Sequence, residues 1–198
     1  NDGELSRAGI KKACDILGSY KKMAEHAKVK ELFVFATASF RNVSNTKEAV
    51  SAIKKETGLD VDVLSGYDEA VLDFRGAAHA MNLEDGIMVD IGGGSTELLV
   101  FESGKIKDTV SLEFGSLFMY KTYISRLFPK GSEKKAIRKR VKAELNKTDF
   151  LKNRTFDTML GIGGTIRAVK KFNNDRFGLK SHNDIILESN MKELMEEF

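Results

Sequence analysis

The sequence predicts an α/β protein with mixed sheets flanked by helices, and three observations carry that expectation. Residues 6–80 alternate helix, strand, helix, strand, helix in their hydrophobic spacing. Residues 87–112 read as strand, glycine turn, strand, turn, strand, an antiparallel meander. A last strand over Thr155–Leu160 turns through Gly161-Ile-Gly-Gly-Thr165 directly into a helical run, Ile166–Phe172.

Each element has a local reason. Ser6 is an N-cap, and Ile10, Ala13, Ile16/Leu17, Tyr20 and Met23/Ala24 recur every three or four residues to about His26, the spacing of an amphipathic helix. Glu31–Thr37 is a continuous apolar run, the pattern of a buried strand. Asn45 or Thr46 opens a helix with Ala49 and Ile53 in period, and Gly58 stops it. Asp60–Ser65 alternates as a strand does, and Tyr67 to about Ala80 is helical again. Past the meander, helices are expected over Ser116–Leu127 and Ser132–Leu145, with the single proline, Pro129, between them. The chain ends with a short strand, Asp184–Leu187, and a helix capped by Asn190 with Glu193 in the capping-box position. The change of rhythm near residues 80–86 marks a domain boundary with no Pro/Gly/Ser-rich linker, hence a hinge.

Composition narrows the function classes. A chain of 198 residues can bury a sizeable core. No apolar run approaches the ~18–20 residues of a membrane span, and the N-terminus lacks a signal-peptide pattern. One cysteine, Cys14, excludes an intrachain disulfide framework, and three scattered histidines show no metal-ligand spacing. The expectation is a soluble, cytoplasmic domain with no membrane partner. A net charge of +3 is too small to imply nucleic-acid binding. That charge is uneven, however: Pro129–Arg154 holds ten basic residues against three acids, +7, which leaves the remainder at −4. Such a run is either a polyanion contact or a solvated helix face.

The chemistry concentrates in two glycine loops. Asp90-Ile-Gly-Gly-Gly-Ser-Thr96 lies between two strands, so it is neither a P-loop nor a Rossmann turn, both of which need a following helix. Residues without Cβ let consecutive backbone N–H groups face one concavity and let a phosphate approach closely. Ser95 and Thr96 add hydroxyls, and Asp90 at the strand end suits a divalent cation or its water. A tight hairpin is the plainer alternative, although three glycines exceed what a two-residue turn needs. The second loop, Gly161–Thr165, precedes a helix whose N-terminal amides and dipole favour an anion. Asp68 and Glu69 open a helix after a strand, either as a general base or as complements to the helix dipole. Arg41 can grip a phosphate with its planar fork. Cys14 falls on the apolar face of its helix and reads as core.

Taken in order, Ala36-Thr-Ala-Ser-Phe-Arg41, Gly58 with Val61–Leu64, Ser65-Gly-Tyr-Asp-Glu-Ala70, Asp90-Ile-Gly-Gly-Gly-Ser-Thr-Glu97 and Gly161-Ile-Gly-Gly-Thr165 resemble the exopolyphosphatase/guanosine pentaphosphate phosphatase (Ppx/GppA) family, from about Leu5 to Phe172. The resemblance implies ribonuclease H-like, actin-like ATPase domains facing a cleft. Residues 1–82 would be the C-terminal part of the first and 83–198 a truncated second. It further implies hydrolysis of the terminal phosphoanhydride of inorganic polyphosphate or of guanosine pentaphosphate (pppGpp), with Mg²⁺. Within it Glu69 resembles the catalytic base, and Asp90 the aspartate that orients metal and water. Gly92, Gly93, Gly94 and Ser95 match the phosphate loop, and Glu97 the acid that helps organise the metal. Arg41 corresponds to a phosphate-contacting arginine, and Gly163, Gly164 and Thr165 to the second loop. Two departures stand out. Val71 occupies a position where family members usually carry arginine, and Asn1–Ser6 aligns downstream of the family's first phosphate loop, so the first domain is expected to be incomplete at its N-terminus. Two other readings remain: a non-catalytic nucleotide- or alarmone-binding module, and a phosphotransferase of the same superfamily. A homodimer is left open.

Overall fold

The computed structural model describes residues 3–197, and the chain divides into two compact units, Asn1–Glu69 and Ala70–Phe198. In the first unit, helix α1 (Arg7–His26) begins where Ser6 Oγ accepts the Gly9 amide at 3.1 Å, as its cap position requires. Its buried face, Ile10 and Cys14, meets Ala49 and Ile53 of a later helix and Val61. Burial of Ile53, fully removed from solvent, contributes about 1.5–3 kcal/mol. Cys14 is core as expected, and burial pushes its thiol pKa up.

Strand β1 (Phe35–Ala36) is followed by a single helical turn, α2 (Ala38–Arg41), then by α3 (Thr46–Thr57), strand β2 (Asp62–Val63) and helix α4 (Gly66–Ala80). β1 and β2 pair in parallel, Phe35 opposite Asp62, over two residues only. Both runs read as longer strands in the sequence. A strand extends only as far as its partner does, and here Phe33 is left 77% exposed beside a ladder too short to include it. α2 has no sequence signature; it forms because the Phe40 and Arg41 amides both return to the Thr37 carbonyl. Gly58 ends α3 at φ 72°, as predicted. Asn45 precedes α3, but its amide side chain pairs with both backbone groups of Leu5 instead of capping. The division between units falls inside α4.

The second unit is built on one mixed sheet. Strands β3 (Gly86–Ile91), β4 (Thr96–Glu102) and β5 (Lys105–Leu112) form the predicted antiparallel meander. Helices α5 (Ser116–Tyr123) and α6 (Gly131–Lys147) precede β6 (Met159–Ile162), which pairs in parallel with β3 and gives the order β5-β4-β3-β6. Central β4 is buried on both faces from Thr96 to Phe101, so after Thr96 and Glu97 it runs apolar without a break from Leu98 to Phe101. One face packs Met88, Leu99 and Phe101 on Ala70 and Phe74, the two phenyl rings 5.2 Å apart. The other packs Leu98 and Leu112 on Phe114, Met119 and the Ile137/Val141/Leu145 stripe of α6. α7 (Gly164–Arg176) and α8 (Glu188–Glu197) close the unit. Among the described residues no helix is long and apolar enough to cross a membrane.

Several expected boundaries move. α5 stops at Tyr123 because Ile124 turns extended (φ −105°, ψ 119°), and Glu133 ties Ser125 and the Lys130 amide into the start of α6. β6 begins at Met159, where the ladder with β3 begins, so Thr155–Thr158 lie outside it. Asp184–Leu187 is not a strand, and α8 starts at Glu188, which places Asn190 inside the helix. The cause is a cluster of asparagines. Asn174, 2% exposed, donates to the carbonyls of Lys180 (3.1 Å) and Asn183 (2.9 Å) and accepts from Asn173 and Asn183 (both 3.0 Å). Asn190 donates to Asn173 across the helix pair at 3.1 Å. These amides replace ladder hydrogen bonds for the 180–187 segment. Replacing Asn174 with leucine keeps the volume but removes all four of these hydrogen bonds, so the variant should lose about 2–4 kcal/mol. Chemical denaturation measures this, and an unchanged midpoint would contradict it.

Candidate active site

In the first unit, Ser65 organises the start of α4. Its hydroxyl accepts the Asp68 amide at 3.1 Å and donates to Asp68 Oδ2 at 2.6 Å, a reciprocal cap on α4. Asp68 is thereby used structurally. Its neighbour Glu69 points elsewhere: Arg41 Nη1, at the end of α2, donates to Glu69 Oε2 at 2.9 Å and to the Leu64 carbonyl at 3.0 Å. Both side chains are under one-fifth exposed, so this pair is far less screened than a surface bridge. Glu69 Oε1 takes no hydrogen bond from any described residue. The guanidinium therefore fixes the carboxylate by one oxygen and leaves the other available to a water. Arg41, expected at a phosphate, spends one guanidinium nitrogen, Nη1, on Glu69 and the Leu64 carbonyl.

In the second unit, the arrangement of the glycine loops follows from strand order. Adjacent parallel strands end at the same sheet edge, and Asp90 on β3 stands opposite Ile162 on β6, so the two glycine loops emerge side by side. In the first loop the Gly92 amide donates to Ser95 O at 3.1 Å. Its carbonyls face α5: Gly92 O accepts from Ser116 N (2.9 Å) and Ser116 Oγ (3.0 Å), and Gly93 O from Phe118 N (3.0 Å). The open N–H groups of the helix terminus are spent holding the loop. The amides of Gly93, Gly94 and Ser95 have no acceptor among the described residues, which leaves three backbone donors in succession. The second loop begins at Gly163 (φ 96°, ψ 179°), a conformation that only glycine adopts readily. A Cβ there would lie 2.5 Å from Asp90 Oδ1. Thr165 Oγ1 donates to Ile91 O at 3.3 Å, drawing the start of α7 onto the end of β3. Asp90 thus sits with Gly92–Ser95 on one side and the N-terminus of α7 on the other.

Other predicted residues are placed less simply. Ser95 is 2% exposed and Thr96 5%, and the Thr96 hydroxyl is committed to Phe114 O at 2.7 Å, so it offers a ligand nothing. Glu97 is fully buried, opposite Asp90 on β3 and Ser111 on β5, with Oε1 accepting from Ser111 Oγ at 2.7 Å. Two carboxylates from neighbouring strands on one sheet face match Mg²⁺, a hard ion commonly held by one or two carboxylates with phosphate oxygens and water. Asp90 is the accessible donor and Glu97 stands behind it. Among the described residues no group of three or more His, Cys, Asp or Glu forms a metal cluster. An apolar cavity of about 910 Å³ lies between the sheet and α5–α6, lined by residues such as Val89, Leu98 and Met119; its lining is the wrong chemistry for a phosphate.

Two residues escaped the sequence reading. A Cβ on Gly115 would strike the Gly92 carbonyl and lie 2.7 Å from Gly93 C, so only glycine lets α5 approach the loop this closely. Its only sequence signal is a glycine between a strand and a helix. Arg167, exposed on α7, brings Nη2 to 3.9 Å of a Cβ built on Gly164 and is a cation at the second loop. Alanine at Gly163 should weaken inorganic phosphate or tripolyphosphate binding roughly tenfold or more through backbone strain and contact with Asp90. Gly178→Ala, which places a Cβ in open space at φ 62°, is the control and should bind as wild type does. Titration calorimetry reads both, and equal affinity in all three proteins would remove Gly163 from the site.

Comparison with known proteins gives one answer. The model of the Ppx/GppA phosphatase family matches residues 1–198. Exopolyphosphatase 1 of Mycobacterium leprae is 34% identical over 100 residues, covering 50% of this chain and 30% of that protein. The Ppx/GppA family member of Aquifex aeolicus superposes with a TM-score of 0.77 at 26% identity, over 98% of this chain and 64% of that one. A Cytophaga hutchinsonii exopolyphosphatase shares the fold at a TM-score of 0.82 and 22% identity, over 98% of this chain and 65% of that one. The mixed sheet flanked by helices is the fold that this chain shares with these proteins. The chain spans less than two thirds of the length of the proteins it matches in sequence, and 64% of the Aquifex chain.

Proposed function

The chain belongs to the Ppx/GppA phosphatase family, and from that premise we propose that it serves a Mg²⁺-dependent hydrolase that releases terminal orthophosphate from inorganic polyphosphate or from guanosine pentaphosphate. The observation that carries this reading is Asp90 flanked by two glycine loops, one of which presents three unclaimed amides. Phosphoryl transfer asks a protein mainly for positioning and charge stabilisation. The amides of Gly93, Gly94 and Ser95 and the start of α7 at Gly163, Gly164 and Thr165 hold the non-bridging oxygens of the terminal phosphoryl group. Glu69, steadied by Arg41, takes the proton of the attacking water through its remaining oxygen. The water oxygen bonds to phosphorus, the bridging P–O bond breaks, and the shortened chain or guanosine tetraphosphate leaves. Bound Mg²⁺ supplies neutralisation of the phosphate charge; Asp90, supported by Glu97, would hold it.

Support for hydrolysis over transfer to an organic acceptor comes from the family and from the exopolyphosphatase likeness. Between the two substrates no contact discriminates. Orthophosphate release from both, with and without Mg²⁺, tests the proposal, and label appearing in an organic acceptor would replace it with phosphotransfer. Glu69→Gln should lower turnover by roughly 10²–10⁴, the span a general base supplies, while substrate binding persists. Turnover at the wild-type rate in that variant would strip Glu69 of its role.

A further inference from the structure

Helix α6 carries a charge pattern that the hydrolytic reading leaves unused. Lys135, Arg138, Lys139 and Lys142 are all exposed and, at 100° per residue, occupy an arc of about 100° and a length of about 10 Å. Ile137, Val141 and Leu145 fill a separate arc that packs into the core. Elsewhere in the basic run four cations have acids: Arg140 and Lys147 share Glu144, Lys152 pairs with Asp149, and Arg154 lies near Glu102 and Asp108. The four stripe cations have no acid partner among the described residues, and residues 134–143 contain no Asp or Glu at all. Like charges at i,i+3 and i,i+4 destabilise a helix, and this stripe contains four such pairs. An ordinary solvated face would intersperse acids.

We infer that the α6 stripe is a binding track for the body of an inorganic polyphosphate chain, away from its reacting end. The inference rests on the polyphosphate side of the proposed function. Cations aligned along one helix face suit a linear polyanion, whose binding is driven by counterion release. Nucleic acid is the poorer occupant. α6 has no aromatic residue on which a base could stack.

The test uses the full chain with Lys135, Arg138, Lys139 and Lys142 all changed to glutamine, a good helix former that keeps the fold. A control changes Lys12, Lys22, Lys47 and Lys55, exposed lysines of the first unit, by the same net charge. Binding of long-chain polyphosphate, tripolyphosphate and a single-stranded RNA of matched charge is measured between 50 and 200 mM salt. Four cations contribute a slope of about 2.8 in log affinity against log salt, or about 50-fold across that range, by the single-strand counterion coefficient. The stripe variant should lose about that slope and at least tenfold in long-chain affinity, while tripolyphosphate binding and its hydrolysis stay at wild-type values. Equal long-chain affinity in wild type and stripe variant overturns the inference. An equal loss in the control, or a loss for RNA without one for polyphosphate, overturns it too. Polyphosphate bound through the stripe without orthophosphate release would leave this inference standing and sink the hydrolytic reading instead.

Discussion

The second unit depends on the pairing of β3 with β6. Because the two run parallel with Asp90 opposite Ile162, their loops open at one edge of the sheet, and the second loop must cross directly over the Asp90 carboxylate. That crossing has almost no room. Gly163 lies where any side chain would meet Asp90 Oδ1, in a backbone conformation that other residues resist. A single position thus satisfies a steric limit and a conformational one at once, and the proximity of an acid to the N-terminus of α7 follows from it.

The remaining parts are held by hydrogen bonds that fix which groups stay available. α5 gives its first amides to the carbonyls of Gly92 and Gly93, so the loop cannot rotate those carbonyls inward without breaking the helix start. The same economy separates two adjacent acids on α4. Asp68 is absorbed by Ser65 into a cap, whereas Glu69 is held through one oxygen by Arg41. Neighbours in sequence acquire different chemistry because different partners reach them.

Much of this was legible before any coordinates. Helices α1, α3 and α4 and the β3–β5 meander follow from short-range spacing, and Gly58 ends α3 as a C′ glycine should. Asp90 with its three glycines marks a loop whose backbone itself is used, because that run is costly otherwise. What stayed hidden depends on distant partners. β1 and β2 shrink to two residues because each has one short neighbour, and β6 begins only where β3 meets it. The 180–187 segment stays irregular because Asn174 claims its carbonyls. Gly115 matters through contact with residues 92–93, and the Arg41–Glu69 pair spans 28 positions. No local window contains either.

The proposed site also poses an electrostatic question. Asp90 and Glu97 place two carboxyl groups on one sheet face beside a cradle proposed for a polyanion, and amides offer only partial positive charge against them. Arg167 is the cation at the second loop, and it is exposed and well screened. A bare phosphate approaching two acids would be repelled more than three neutral amides and one solvated guanidinium could repay. A phosphate that arrives with a divalent cation reverses the sign: the acids then attract the incoming pair, and the amides need only orient the oxygens. This is the physical ground for proposing Mg²⁺ as part of the substrate species.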